Sequence, residues 1–227
     1  MSEQTEEITQ ESRGLRLVAV LLGLTVVSGL IDAVSYLGLG HVFTANMTGN
    51  VVVLGFAAAG APGFSVPHTA TSLVCFLIGA AAGGRSSRWL GEGSRRRWVR
   101  LTIATEAVLL GVCAAVAFAA PHATATVYTL IAVTAFAMGL RNATVRKLGV
   151  PELTTTVLTM TLTGLASDSR AGGGSGRRSP RRTASVVAMA VGAFLGAWLV
   201  TDHGLAIPLL VAAVGAGVLA VVASGRE

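Results

Sequence analysis

The chain is 227 residues long, with 52% hydrophobic residues, only 12% charged residues and a formal net charge of +6. Soluble domains carry about 25% charged residues, so a water-soluble globular domain is excluded and a lipid bilayer is the solvent that suits this composition. Nucleic acid is not the partner of the surplus Arg, which lies between apolar runs and is not interleaved with aromatic residues.

Residues 1–14 read as a disordered, largely acidic tail. Arg13 and Arg16 ahead of an apolar stretch have the outline of a signal peptide, but no A-x-A-like site follows cleanly. The apolar character also resumes past Asp32 to Leu39, so a retained first transmembrane helix is expected. Including that segment at 15–39, there are eight apolar segments, the others at 42–60, 68–84, 98–119, 124–142, 152–166, 184–201 and 205–223. Together they make a single membrane domain over 15–223. Two connections, 85–97 and 167–183, are rich in Arg and short enough for the positive-inside rule to hold both in the cytoplasm. Eight crossings would put these loops on opposite sides. The conflict disappears if 42–60 and 152–166, rich in Thr and Asn, are broken or re-entrant. The expected fold is therefore an all-α polytopic bundle of about six spanning helices plus two broken segments, with both termini cytoplasmic.

An internal repeat points the same way. Gly29-Leu30-Ile31-Asp32-Ala33 aligns with Gly139-Leu140-Arg141-Asn142-Ala143 at an offset of 110, and Gly38, Thr44, Thr48 and Leu54 align with Gly149, Thr155, Thr159 and Leu165 at 111. Further on, Gly79-Ala80-Ala81-Ala82-Gly83 aligns with Gly192-Ala193-Phe194-Leu195-Gly196 at 113. The halves are 15–119 and 124–223, each with three crossings and one broken segment. An odd number of crossings inverts the second half, an arrangement in which transporters form midplane sites from discontinuous helices. Gly79, Gly83, Gly192 and Gly196 have the small-xxx-small spacing of close helix packing.

Within these segments a few polar residues carry chemistry. Asn46, Thr48 and Asn50 flank a Gly in the first broken segment, where they either line a solute path or bond neighbouring helices. Asp32 lies inside the first crossing, where ionisable groups are costly and face the bundle interior; its repeat counterpart is Asn142, with Arg141 beside it, so Asp32 is expected to approach Arg141 or Asn142. Glu106, eight residues after Trp98, is about 12 Å deep on a helix starting there, as a coupling carboxylate or a structural acid. The four histidines stand near segment ends without metal-ligand spacing, and Cys75 and Cys113 lie singly in apolar runs, so neither a metal nor a disulfide framework is expected. There is no nucleophile motif, Walker A or dinucleotide loop; no enzyme activity and no cofactor are expected.

The stretch GLIDAVSYLGLGHVFTANMTGNVVVLG, with its G-x-x-D-A followed by F-T-x-N-M-T-G-N, resembles the signature of the YoaK-type family of bacterial multi-pass membrane proteins, a family of unknown function. The resemblance runs from about Leu17 to Ser224 and implies an inner-membrane protein of roughly six helices. It implies no activity. The second half departs from the pattern where Arg146 and Lys147 precede Leu148 and where Thr155 to Thr163 lacks Asn. The functional expectation is a permease-like carrier of a small polar or ionic solute, with Asp32, Asn46, Thr48, Asn50, Glu106, Arg141 and Asn142 as candidate ligands. The alternative is a non-transporting scaffold or assembly partner. Lipid is the expected environment, and a homo-oligomer is compatible with the sequence.

Overall fold

A computed structural model describes residues 2–90, 95–121, 123–149, 158–177 and 179–223. Among them the chain forms eight α-helices: α1 (Ser2–Gly38), α2 (Met47–Ala58), α3 (Val66–Leu90), α4 (Arg95–Ala119), α5 (Thr124–Leu148), α6 (Leu158–Ser167), α7 (Ser179–His203) and α8 (Ala206–Val222). Helices dominate because in hydrocarbon every backbone N–H and C=O must find its partner within the segment. Five stretches are long and apolar enough to cross a bilayer: Leu17–Gly38, Val66–Arg88, Arg96–Ala119, Thr124–Leu148 and Ser179–His203. The 17-residue α8 is about 26 Å long, at the short end of the spanning range.

Two boundaries differ from the sequence expectation. Helix α1 runs back to Ser2 through the stretch assigned to a disordered tail, since Glu and Gln are good helix formers and extending a nucleated helix is far easier than starting one. The first basic connection, expected over 85–97, is largely helical, with α3 reaching Leu90 and α4 starting at Arg95. Long Arg side chains let a helix overrun the hydrocarbon by a turn or two, because their charged ends reach back to the headgroups.

Segment 42–60 does not form one helix. After α1, Gly40 (φ 85°) and His41 (φ 58°) turn the chain through the left-handed region, and α2 begins only at Met47. Its twelve residues extend about 18 Å, too short to cross. In the second half, 150–157 lie outside the described residues, so the start of segment 152–166 is not described; α6 is ten residues long.

Helices α1, α4, α5 and α8 supply the main hydrophobic core, with Leu110, Leu130, Ile131, Met138, Leu209 and Ala216 fully buried. Helices α3 and α7 flank this core and leave Leu77, Ile78, Phe194 and Trp198 exposed as lipid-facing surface. Each flanking helix packs on the first helix of the other half, α3 on α5 and α7 on α1, while α4 pairs with α8. A side chain at Gly79 would collide with the Phe136 carbonyl and one at Gly139 with the Phe76 carbonyl; likewise Gly192 meets the Val26 carbonyl and Gly29 the Met189 carbonyl. A Cβ at Gly83 would stand 2.7 Å from the Leu140 oxygen, and one at Gly196 2.5 Å from the Leu30 oxygen. These contacts correspond residue for residue at the sequence offsets of 110 and 113. Without a hydrophobic drive between helices in lipid, such close backbone approach is what holds the pairs.

Gly79→Val and Gly192→Val are expected to destabilise the purified protein to similar extents, by about 1–3 kcal/mol each as overpacked contacts. Gly111, whose Cβ would meet nothing within 4 Å, is the control: Gly111→Ala leaves the thermal midpoint unchanged or raises it. Unequal responses of Gly79 and Gly192 would contradict the equivalence of the two packings.

Candidate functional site

Three spanning helices present polar stripes to one another. On α1, Thr25, Ser28, Asp32 and Ser35 recur every three or four residues and are all buried, so they occupy one face. On α4, Thr102 and Glu106 are one turn apart; on α5, Met138, Arg141 and Thr144 follow the same spacing. The hydroxyls of Thr25, Ser28, Thr102 and Thr144 each donate to the carbonyl one turn earlier, which satisfies them without a partner helix.

The charged members meet where the stripes converge. Arg141 is 1% exposed and Glu106 is wholly buried. Arg141 Nη1 donates to Glu106 Oε1 at 2.9 Å and to the Leu24 carbonyl at 3.1 Å. Its Nη2 donates to Ser28 Oγ and contacts Met138 Sδ at 3.0 Å. The guanidinium thus joins α5 to both α4 and α1. Toward the Leu148 end of α5, the hydroxyls of Thr144 and Thr102 touch at 3.3 Å. The Nε of Arg141 and Oε2 of Glu106 are buried without a hydrogen-bond partner among the described residues.

Asp32, expected to approach Arg141 or Asn142, shares no hydrogen bond with Arg141, whose guanidinium bonds Glu106, Leu24 and Ser28 instead. Its Oδ1 accepts the backbone N–H groups of Ala45 (2.8 Å), Thr44 (3.1 Å) and Asn46 (3.4 Å). Three consecutive donors converging on one carboxylate oxygen make an anion cradle, and they are the donors freed where the chain is not helical between α1 and α2. A break at membrane depth needs such internal satisfaction, and Asp32 supplies it. Its Oδ2 has no hydrogen-bond partner among the described residues.

The Asn residues of the break serve the same purpose. Asn50 is fully buried; it accepts from the Phe43 N–H at 2.8 Å and donates to the Phe43 carbonyl at 2.6 Å and to Ser72 Oγ at 3.0 Å. Asn46 caps α2 by accepting from the Gly49 N–H at 3.4 Å. Thr48 is exposed on the first turn of α2, and Asn142 is half-buried beside Arg141. The expected cluster is therefore divided: Glu106 and Arg141 join, Asp32 and the Asn residues secure the break, and Thr48 stands apart. Aligned positions in a sequence need not touch, which is why the match of Asp32 with Asn142 does not by itself name the partner of Arg141. Depth was the better guide: Glu106 lies eight residues from Trp98 and Arg141 seven from Leu148, on helices joined by a short turn, so both reach the same level. Ser28 and Ser72 were missed, their signal being only polarity on a buried face.

Among the described residues no three His, Cys, Asp or Glu side chains form a metal-binding group, and Cys75 and Cys113 are free thiols. His41 Nδ1 lies 3.0 Å from the Gly63 carbonyl, holding the α2–α3 turn against the end of α1.

Residues 20–222 match the family described as Protein of unknown function (DUF1275). The chain belongs to this family. It is also 36% identical over 148 residues to the UPF0700 transmembrane protein YoaK of Bacillus subtilis (strain 168). That match covers 64% of this chain and 64% of YoaK, so the chain spans just under two thirds of the length of this curated relative. No solved structure matches it. The DUF1275 member described here is thus a multi-pass helical membrane protein of the YoaK type.

Breaking a buried ion pair from one side leaves an uncompensated charge, which costs about 3–5 kcal/mol, whereas removing both partners is far milder. Glu106→Gln and Arg141→Gln are each expected to lower the thermal stability of the purified protein by that order, and Glu106→Gln/Arg141→Gln to recover most of it. Additive losses in this double-mutant cycle would rule out the pair as a unit.

Proposed function

We propose that this protein is a permease-like carrier of a small polar or ionic solute, with Arg141, Glu106 and Asp32 as the functional groups. The observation that carries this reading is the Arg141–Glu106 pair with Ser28 at the convergence of α1, α4 and α5. Charges at such depth are costly, and where they occur in membrane helices they mark solute or ion pathways more often than packing needs. A re-entrant segment docked onto Asp32 supports the same reading, since irregular backbone at depth is characteristic of transporter sites.

The matched packing of α3 on α5 and α7 on α1 supports two inverted halves in which a rocking motion alternates access to the site. The basic ends of α3, α4 and α7 support an orientation with those ends and both termini in the cytoplasm, in a bacterial inner membrane. One observation favours a non-transporting scaffold: Asn50 and Ser72 are saturated by protein partners, so the buried amide of the first break, that of Asn50, is not free for a solute.

Orientation is read from single cysteines placed after replacing Cys75 and Cys113. A membrane-impermeant thiol reagent added to intact cells is expected to label Ala120→Cys and to leave Ser175→Cys unlabelled; the reverse pattern would overturn the topology. Transport is read in reconstituted vesicles given a panel of small anions, cations and neutral polar solutes. Protein-dependent uptake is expected, falling at least about tenfold in Glu106→Gln/Arg141→Gln, as for loss of the principal polar contacts of a site. Absence of uptake for every solute would sink the carrier reading in favour of the scaffold.

A further inference from the structure

The lipid-facing surface of α3 changes character along its length. Val74, Leu77, Ile78, Ala81, Arg85 and Arg88 are exposed and recur every three or four residues, so they form one stripe, apolar for most of its length and cationic at its end. On α4, Arg97, Leu101, Thr105, Val108 and Val112 form a second exposed stripe, which runs in the opposite direction. The two helices are joined through residues 91–94, and the Trp98 indole N–H donates to Ser86 Oγ at 3.3 Å. That contact fixes their relative height: Arg97, one residue outward of Trp98, falls between the levels of Arg85 and Arg88. Arg85 and Arg88 also differ from the basic side chains that the protein itself satisfies. Arg141 has Glu106, Arg182 has Asp168, and Lys147 Nζ donates to the Gly84 carbonyl at 3.2 Å and to the Ser87 hydroxyl. Neither Arg85 nor Arg88 has an ion-pair or hydrogen-bond partner for its side chain among the described residues.

We infer that the basic ends of these two stripes form the binding site of one anionic glycerophospholipid. Its phosphate lies against Arg85 and Arg88, with Arg97 opposite on α4, and its acyl chains follow Leu77 and Ile78 on α3 and Leu101 and Val108 on α4. The site is independent of the carrier reading. Charge selects the headgroup. Helices α3 and α5 contain no acidic residue and α4 only the buried Glu106, so the surface offers cations with nothing of opposite sign, and guanidinium groups bind phosphate through paired N–H donors. Length selects the chains. Eleven residues separate Arg85 from Val74 and Arg97 from Val108, about 16 Å on each helix and close to half of a ~30 Å hydrocarbon core. A headgroup at the arginines therefore lays its chains along the apolar stripes as far as the midplane.

A second copy of the chain is a poorer match for the same surface. Copies related by a twofold axis along the membrane normal meet with the same patch on both sides. An interface on these stripes would set Arg85, Arg88 and Arg97 against the same cations of the neighbour at equal height. A free phosphate shares the headgroup chemistry but gains nothing from the apolar stripes, and so binds more weakly than the lipid.

The test uses the purified full-length protein in detergent, titrated with dioleoyl phosphatidylglycerol or with dioleoyl phosphatidylcholine, which has the same phosphate and chains but no net charge. Bound lipid is counted by native mass spectrometry, and the thermal midpoint is followed in parallel. The wild type is expected to bind phosphatidylglycerol with an apparent affinity at least about tenfold higher, and to show the higher midpoint with it. Arg85→Gln/Arg88→Gln is expected to lose at least about tenfold of that affinity. Arg177→Gln/Arg181→Gln removes the same charge from exposed positions around the start of α7 and is expected to keep it. Equal binding of the two lipids would overturn the inference, and equal losses in the two double variants would replace the site by a diffuse basic surface. Displacement of the lipid by an equal concentration of glycerol 3-phosphate, which has no chains, would overturn the lipid as occupant. A wild-type dimer that excludes phosphatidylglycerol would give the surface to a second copy. Where a variant does not fold, the comparison of the two lipids on the wild type decides alone.

Discussion

The guanidinium of Arg141 is the constraint around which the interior is arranged. It cannot shed its charge, it is 1% exposed, and it sits where the surrounding medium offers almost no dielectric relief. Its stability in that position requires an anion and several acceptors at fixed distances, and these come from two other helices: Glu106 from α4, and the Leu24 carbonyl and Ser28 hydroxyl from α1. Satisfying one side chain therefore fixes the relative height of three spans. The apolar contacts of the same helices, Leu21, Leu24, Ile103 and Val145 among them, are interchangeable in kind and define that height far less sharply.

Asp32 solves a second problem with the same means. The chain leaves α1 through a left-handed turn and runs without helical hydrogen bonds to Met47, which frees three N–H groups at 44–46 that lipid has no way of accepting. One carboxylate oxygen takes all three, and Asn50 with Ser72 takes both polar groups of Phe43. The polar residues of the break are thus consumed in holding it in a defined shape. The segment between α1 and α2 is fixed to α1 through Asp32 and to α3 through Ser72, while α2 itself packs on α3.

Much of this arrangement is legible in the residue order, for identifiable reasons. Long apolar runs of Ala, Leu, Val and Gly have a single low-energy structure in lipid, so the helices follow from composition. Segment 42–60 betrays its break because Asn, Thr and Gly cluster in it. Helix ends are less legible, since Arg tolerates both a loop and a helix that overruns the hydrocarbon, and α3 reaches Leu90 while α4 starts at Arg95. The partner of Arg141 was the hardest to read. Sequence symmetry pointed to Asp32, whereas contact depends on which helices are neighbours and on depth along them, and a span carries no direct record of its neighbours. Glu106 and Arg141 become a pair only once α4 and α5 are taken as antiparallel and their distances from the basic ends are compared.

The glycine contacts that correspond at offsets of 110 and 113 make the positions that do not correspond informative. The residue matching Arg141 in the first half is Ile31, and the residue matching Asp32 in the second is Asn142. Helix α8, the partner of α4 in the core, has no ionisable group to match Glu106. Both sets of contacts therefore keep the backbone geometry that close packing demands, glycine against carbonyl, while their charges differ: Arg141 pairs with Glu106 among α1, α4 and α5, and Arg182 with Asp168 at the start of α7. Packing alone does not require an ion pair at such a position, because apolar residues of similar volume serve a core at least as well, and Ile31 stands at the position that matches Arg141. The Arg141–Glu106 pair thus sits among α1, α4 and α5, with α7 packed on α1 and α8 on α4.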